Sequence, residues 1–212
     1  MEKLEAPVFF RFGRKNGESD PTDIFFHPPV METPRLRLRK LRMRDAKGIF
    51  RWSQDPEVAR YVLWDAHRSI YETRSYLRYI RKLYRMGLPG SWGIELKETG
   101  EIIGTMGIMA WNPEHRCAEV GYSLGRTWWH QGFAPEALGR LMQLLFESLG
   151  AQRVEGMCDV RNPASARVME KCGMRREGLL RKKIRYKGAQ ADVLLYAAVA
   201  EDWAGGIPSR NP

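Results

Sequence analysis

From Arg35 the chain alternates strictly, Arg35-Leu36-Arg37-Leu38-Arg39, with apolar residues at one parity and cations at the other. A period of two marks a strand buried on one face only. Such a strand cannot stand alone: it needs neighbours to pair its edges and a second layer to cover its apolar face. The downstream pattern supplies both. Asp45 stands where it would cap a short helix through Trp52, and Ser69 with Glu72 three residues later reads as a capping box ahead of Ile70, Leu77, Ile80 and Leu83. Gly87 and Pro89 stop that second helix. Residues 92–96 and 102–109 read as a hairpin around the turn 97–100, and 117–124 alternates about Val120 and Tyr122. A helical run starts near Pro135, carries Ala137, Leu138, Leu141, Leu145 and Phe146, and ends at Gly150. A strand over 153–160, a short helix over 164–171 closed by Gly173, and strands near 174–180 and 191–200 complete the order. Strand, two helices, three strands, helix, strand, helix and final strands describe an α+β chain, a mixed sheet with helices on both faces.

The 212 residues suit one domain with a single sizeable core, and 43% hydrophobic with 28% charged residues is a globular composition. No apolar run approaches a membrane span, and the N-terminus, with Glu2 and Glu5 flanking little more than Val8 to Phe10, lacks the pattern of a secretory signal. Cys117, Cys158 and Cys172 are odd in number and show no Cys-x-x-Cys spacing, which argues against a disulfide framework or a zinc site and suits a reducing cytoplasm. Residues 1–31 read as an N-terminal extension, 32–203 as the main domain and 204–212 as a tail. The aromatic pairs Phe9-Phe10 and Phe25-Phe26 are expected to pack on the main body or on a second subunit, so a homodimer contact is one reading of the extension.

Thirty-five basic against 25 acidic residues give a net charge of +10, which attracts polyanions: RNA, acidic substrates or a cofactor with several phosphates. Six of the cations fall between Arg35 and Arg44, where the alternation points to the solvated outer face of a strand rather than a nucleic-acid patch. The densest other run, 181–187 (Arg-Lys-Lys-Ile-Arg-Tyr-Lys), reads as a solvated strand or turn, with a cofactor phosphate or an RNA backbone as its functional alternatives.

The most informative stretch is Trp128-Trp129-His130-Gln131-Gly132-Phe133-Ala134-Pro135-Glu136-Ala137, a loop running into a helix. The first N–H groups of a helix have no internal partner and the helix dipole adds partial positive charge, so backbone amides alone could bind a diphosphate there. Gly132 would let the backbone approach the ligand closely. The alternative is a plain tight turn.

This stretch resembles the cofactor loop of the GNAT acetyltransferases, in which Gln or Arg is followed after two residues by Gly, one residue, then Gly or Ala. Gly132-Phe133-Ala134 matches the second half, while Trp129 replaces the first position, a departure similar to the RimJ/RimL-like branch. The segments Glu32-Thr33-Pro34-Arg35-Leu36-Arg37-Leu38-Arg39, Glu119-Val120-Gly121-Tyr122 and Asn162 through Met174 are similar to that branch in the same order, so the resemblance covers about residues 32–203. It implies a GNAT-type fold with a central, mostly antiparallel, twisted sheet of about six to seven strands. It implies acetyl-CoA as cofactor and acetyl donor, held by Tyr122, Ser123 and Leu124 on a splayed strand, by the loop residues Trp129, His130, Gln131, Gly132, Phe133 and Ala134, and by Asn162. Asn162 also suits a helix cap ahead of Pro163.

Acetyl transfer needs a neutral amine, whereas α-amino groups have pKa values near ~8 and alkyl amines near ~10, so a base must remove a proton. Glu119, an acid in an otherwise apolar strand, is the candidate; its alternative is an outward-facing strand residue, with Ala118, Val120 and Tyr122 facing the other way. A strand N–H near Tyr122 would stabilise developing negative charge. Tyr122 and Ser165 are candidate proton donors to the leaving thiolate, against core and cap readings. No metal is required. His130 reads as a loop residue, His27, His67 and His115 lack ligand spacing, and Trp111, Trp128 and Trp129 read as packing. The expected activity is transfer of acetyl to a primary amine, a protein N-terminus (as in ribosome-associated relatives of this branch) or a small amine. The +10 charge disfavours polyamines and aminoglycosides. The alternative is a non-catalytic module binding acetyl-CoA or RNA.

Overall fold

The computed structural model describes residues 20–203. Eight strands form one sheet: β1 (Met31–Glu32), β2 (Leu36–Lys40), β3 (Ser91–Leu96), β4 (Ile102–Asn112), β5 (Cys117–Leu124), β6 (Arg153–Asp159), β7 (Arg175–Tyr186) and β8 (Ala189–Val199). Their spatial order is β1-β2-β3-β4-β5-β6-β8-β7. Every neighbouring pair is antiparallel except β5 and β6, which run parallel. A parallel pair needs a long crossover, here helix α5 (Phe133–Glu147) in a chain whose other helices are α1 (Asp23–Phe26), α2 (Ala46–Ser53), α3 (Pro56–Ala59), α4 (Ile70–Met86) and α6 (Pro163–Lys171).

The alternation of the strands distributes two cores. Leu36, Leu38, Ile94, Ala118, Val120 and Val154 pack on one face against Ala137, Leu138, Leu141 and Leu145 of α5 and Ala166 and Met169 of α6. Leu41 and Ile102 pack on a second, smaller core with Ile49 and Trp52 of α2 and Leu77, Ile80 and Tyr84 of α4. Helices therefore cover both faces, as the sequence pattern requires.

Several local readings change. The sheet gains an eighth strand because Met31, at the end of the presumed extension, pairs with Leu38 and is fully buried. A third helix, α3, follows the first strand, started by the Asp55 carboxylate, which accepts the Glu57 N–H at 3.0 Å, and by Pro56 in the first turn. Asp45 precedes α2 but does not cap it; its carboxylate accepts the Arg42 N–H at 2.7 Å and both terminal nitrogens of Arg39 at 2.9 Å. Glu72 reaches past Ser69 to the Arg68 N–H, 2.9 Å away, and the Ser69 hydroxyl makes no capping bond. Arg39 is buried between Asp45 and Glu95 rather than solvated, because the carboxylates of Glu95 on β3 and of Asp45 just ahead of α2 close over its guanidinium. The run 181–187 belongs to β7 and the turn after it, as expected of a strand or turn.

Of the extension, Phe25 is buried in the main core, a Cβ on Gly87 would collide with the Phe26 ring, and Trp92 Nε1 donates to Pro29 O at 2.9 Å. These aromatics pack on the chain's own body. Phe9, Phe10 and residues 204–212 lie outside the described residues. Among the described residues, no helix is long and apolar enough to cross a membrane, and no three His, Cys, Asp or Glu gather as metal ligands.

Candidate active site

The parallel ladder between β5 and β6 runs from Cys117 and Arg153 to Val120 and Gly156 and stops. Both strands continue, β5 to Leu124 and β6 to Asp159, so they part company and, among the described residues, the backbone groups of Gly121 to Leu124 that turn toward β6 have no strand to pair with. Unpaired strand groups next to a cleft are a ready template for an extended, amide-bearing ligand.

A cleft of about 400 Å³ opens at this gap. One wall is the loop ahead of α5. Gly132 takes the left-handed conformation with φ of 79° and His130 one of 60°, and the two reversals turn successive N–H groups outward. Among the described residues, no acceptor reaches the N–H of His130, Gln131, Gly132, Phe133 or Ala134. With the positive end of the α5 dipole behind them, these donors make an anion-binding concavity. The loop is fixed from below. Glu136, in the first turn of α5, accepts Thr33 Oγ1 at 2.6 Å, the Arg35 N–H at 3.0 Å and Arg35 Nε at 2.7 Å. Arg35 in turn donates to Gln131 O at 3.0 Å and stacks 4.2 Å from the Phe133 ring centre. Trp129 ties the loop to the end of β5 through Nε1, which donates to Leu124 O at 2.7 Å.

The opposite wall is α6. The Asn162 carbonyl accepts the Ser165 N–H at 3.2 Å, so Asn162 caps α6 while facing the cleft. The Tyr122 hydroxyl donates to Ser165 O at 3.0 Å and lies 2.9 Å from Ser165 Oγ. Burial pushes the Tyr122 phenol far above its ordinary range, against a smaller opposing effect of the Ser165 bond, so it stays protonated near neutral pH. Arg60, Arg167 and Lys171 also line the cleft and give it a cationic rim.

Tyr122, Ser123, Leu124, Trp129, His130, Gly132, Phe133, Ala134, Asn162 and Ser165 thus share one cleft. Two residues singled out from the sequence do not. Gln131 folds back, its Nε2 donating to Thr127 O at 2.7 Å, and does not line the cleft. Glu119 lies between buried Ala118 and Val120 and so projects from the other face of the sheet, beside Met109, which a Cβ on neighbouring Gly121 would touch. Its register partner across the parallel ladder is Glu155. Burial first, and then the Glu155 charge, raises the Glu119 carboxyl pKa, partly offset by Lys183. Ala118, Val120 and Tyr122 do face one way together.

Sequence reading missed the Thr33, Arg35 and Glu136 pin; its one local signal was an acid in the first turn of a helix, a position the dipole favours. It also missed the buried Asp159, which accepts Arg161 Nε and Nη2 at 2.8 and 2.7 Å and the Tyr186 hydroxyl at 2.6 Å. With Lys187 donating to Ala59 O, this cluster fastens the β7–β8 turn to α3 beside the cleft.

The sequence model of the acetyltransferase (GNAT) domain matches residues 35–175. The chain is 34% identical over 176 residues to the uncharacterized N-acetyltransferase p20 of Bacillus licheniformis, an alignment covering 83% of this chain and 99% of that one. It is 32% identical over 101 residues to the ribosomal-protein-serine acetyltransferase of Escherichia coli, covering 48% of this chain and 56% of that one. Among solved structures, Mycobacterium smegmatis RimJ in complex with CoA-disulfide superposes with a TM-score of 0.77 at 25% identity, over 86% of this chain and 92% of that one. A parted parallel strand pair, a loop of unpaired amides at a helix N-terminus and these matches lead to one conclusion: the chain belongs to the GNAT family and is an N-acetyltransferase that takes its acetyl group from acetyl-CoA.

Proposed function

We propose that the acceptor is the α-amino group of a polypeptide, delivered to the gap between β5 and β6 from the face that carries Glu119. The observation that carries this reading is the opening in the sheet after Val120 and Gly156, with unpaired loop amides on one side and a partly desolvated carboxylate on the other. The likeness to a ribosomal-protein-serine acetyltransferase supports a protein acceptor, as does the exposed Met109 beside Glu119, an open apolar face suited to a chain end.

Acetyl-CoA, when bound, supplies a thioester-activated acetyl group. The N–H groups of His130 to Ala134 and the cations Arg60, Arg167 and Lys171 hold its phosphates, and Ser123, Leu124 and Asn162 hold its amide-bearing arm. Gln131 serves through its backbone alone. Glu119 takes the amine proton, directly or through water; a carboxyl raised above its ordinary value is closer in basicity to an α-amino group of pKa ~8 and so a better acceptor for that proton. Tyr122, kept protonated by burial, turns its one O–H from Ser165 O to developing negative charge while its oxygen accepts from Ser165 Oγ. The acetyltransferase unit spans residues 32–203, the preceding segment adds Phe25 and the β1 residue Met31 to its main core, and its three unpaired thiols suit the cytoplasm.

The test is release of free thiol from acetyl-CoA with peptides bearing free or blocked N-termini, polyamines and aminoglycosides. Turnover should require a free peptide N-terminus, and Glu119→Gln should lower kcat by about 10²-fold or more while leaving acetyl-CoA affinity intact. Turnover confined to polyamines or aminoglycosides overturns the acceptor reading, and an unchanged kcat in the variant removes Glu119 as the base.

A further inference from the structure

Among the described residues, strand β7 lies at the edge of the sheet, paired only with β8. Its register jumps between Leu180, opposite Val193, and Ile184, opposite Ala191, so Arg181, Lys182 and Lys183 bulge out across from the single residue Asp192. The bulge is built rather than frayed: Lys182 takes the left-handed conformation with φ of 50°, and its N–H donates to Asp192 Oδ1 at 2.8 Å. All three side chains are exposed, as is Arg185, and among the described residues none of these four cations forms an ion pair. None lines the cofactor cleft. The Val160 N–H, just past the end of β6, donates to Asp192 O at 3.2 Å, which sets the bulge level with the open end of the gap between β5 and β6, and the Lys183 charge acts on Glu119 against the effect of burial.

We infer that this bulge is a docking surface for an acidic segment of the acceptor polypeptide, downstream of the amine that reaches Glu119. The inference rests on the acceptor being a polypeptide. Four unneutralised cations presented together on a chain that also holds its net charge at +10 complement an acidic strand of the substrate. The contact is made by side chains, since a bulged, cationic edge is a poor template for backbone pairing. RNA fits less well: Tyr186 is the one aromatic residue in 175–191, and it is buried with its hydroxyl on Asp159, so the hairpin offers no base-stacking platform.

The experiment uses the full chain loaded with coenzyme A and three labelled probes of equal length: an N-acetylated peptide rich in Asp and Glu, its Gly/Ser counterpart and single-stranded oligouridylate. Acidic and neutral peptides with free N-termini are assayed in parallel for turnover. The acidic peptide should bind about tenfold more tightly than the neutral one, and the preference should vanish at high salt and in the combined variant Arg181→Gln, Lys182→Asn, Arg185→Gln. Asparagine is chosen at 182 because it tolerates the left-handed conformation. In that variant kcat/KM should fall for acidic peptides and hold for neutral ones. Equal binding of the two peptides overturns the docking surface even if both are acetylated, as does oligouridylate binding more tightly than the acidic peptide and being lost in the variant. Selective binding of the acidic probe without turnover of any peptide overturns the acceptor reading, and with it the role of the surface in acceptor docking, while its selectivity for acidic segments stands.

Discussion

Two carboxylates on neighbouring strands show how environment alone divides their roles. Glu119 sits where burial and the charge of Glu155 disfavour ionisation, so its pKa is raised. Asp159, almost fully buried, is held ionised by the hydrogen bonds of Arg161 and Tyr186, which outweigh desolvation and lower its pKa well below the carboxylate range. For Glu119 as the proposed base, the sign is set by the form that works: only the deprotonated carboxylate accepts a proton, so the acid limb of kcat/KM against pH should fall above the ordinary carboxylate value of about 4.3. That limb should disappear from the residual activity of Glu119→Gln. For Asp159 the linkage runs the other way. A folded-state pKa below the unfolded value contributes stability above about pH 4 that is lost as pH falls through the lowered folded value. Urea unfolding should therefore show Asp159→Asn less stable than the parent by about 1–3 kcal/mol at pH 7, with the difference shrinking as the solution is acidified below pH 4.

At the scale of elements, the loop before α5 combines a backbone reversal at Gly132 with a pin at Glu136. Alanine at a left-handed position costs roughly 1–2 kcal/mol. Gly173 provides the control, since it has the same φ of 79° with open space around it, whereas a Cβ at Gly132 would stand 3.4 Å from Arg35 Nη2. Gly132→Ala and Gly173→Ala should lose comparable stability in thermal unfolding, but calorimetric titration should show weakened acetyl-CoA binding only for the first. The pin separates in the same way. Glu136 is largely shielded and holds Thr33, the Arg35 N–H and the Arg35 side chain at once, so Glu136→Ala should raise the Kd for acetyl-CoA about tenfold or more although its side chain is not among those lining the cleft.

For the whole molecule, the cleft is a meeting point of both layers: Trp128 and Trp129 pack against the α5 core and the α2–α4 core alike. A ligand that engages only the folded cleft stabilises the whole chain by mass action, about 2.7 kcal/mol at a concentration of 100 Kd. Acetyl-CoA should raise Tm accordingly, and hydrogen exchange should slow in residues 121–124 and 130–134 while the bulge at 181–183 exchanges as before. Slowing spread evenly over the sheet, with no focus on the parted strands, would show that the cofactor does not occupy this gap.

The sequence by itself determined the features set by near neighbours in the chain. The period of two in β2 and β5, the period near 3.6 in α5, the Gly132 reversal and the Asn162 cap depend on residues a few positions apart, and all are present. It went astray where a side chain had two partners to choose from. Asp45 and Glu72 are good capping residues whose carboxylates went instead to Arg39 and Arg42 and to Arg68. Arg39 reads as a surface cation until Asp45 and, across 56 positions of sequence, Glu95 close on it. Glu136 reaches Arg35 across 101 positions of sequence, a separation that no local pattern can signal. The tertiary structure alone decided that β5 and β6 part after four paired residues and that the β7 bulge, opposite Asp192, lies level with the end of β6. Each of these follows from strand register and the path of the chain between layers, which depend on every element packing at once rather than on any segment's own propensity.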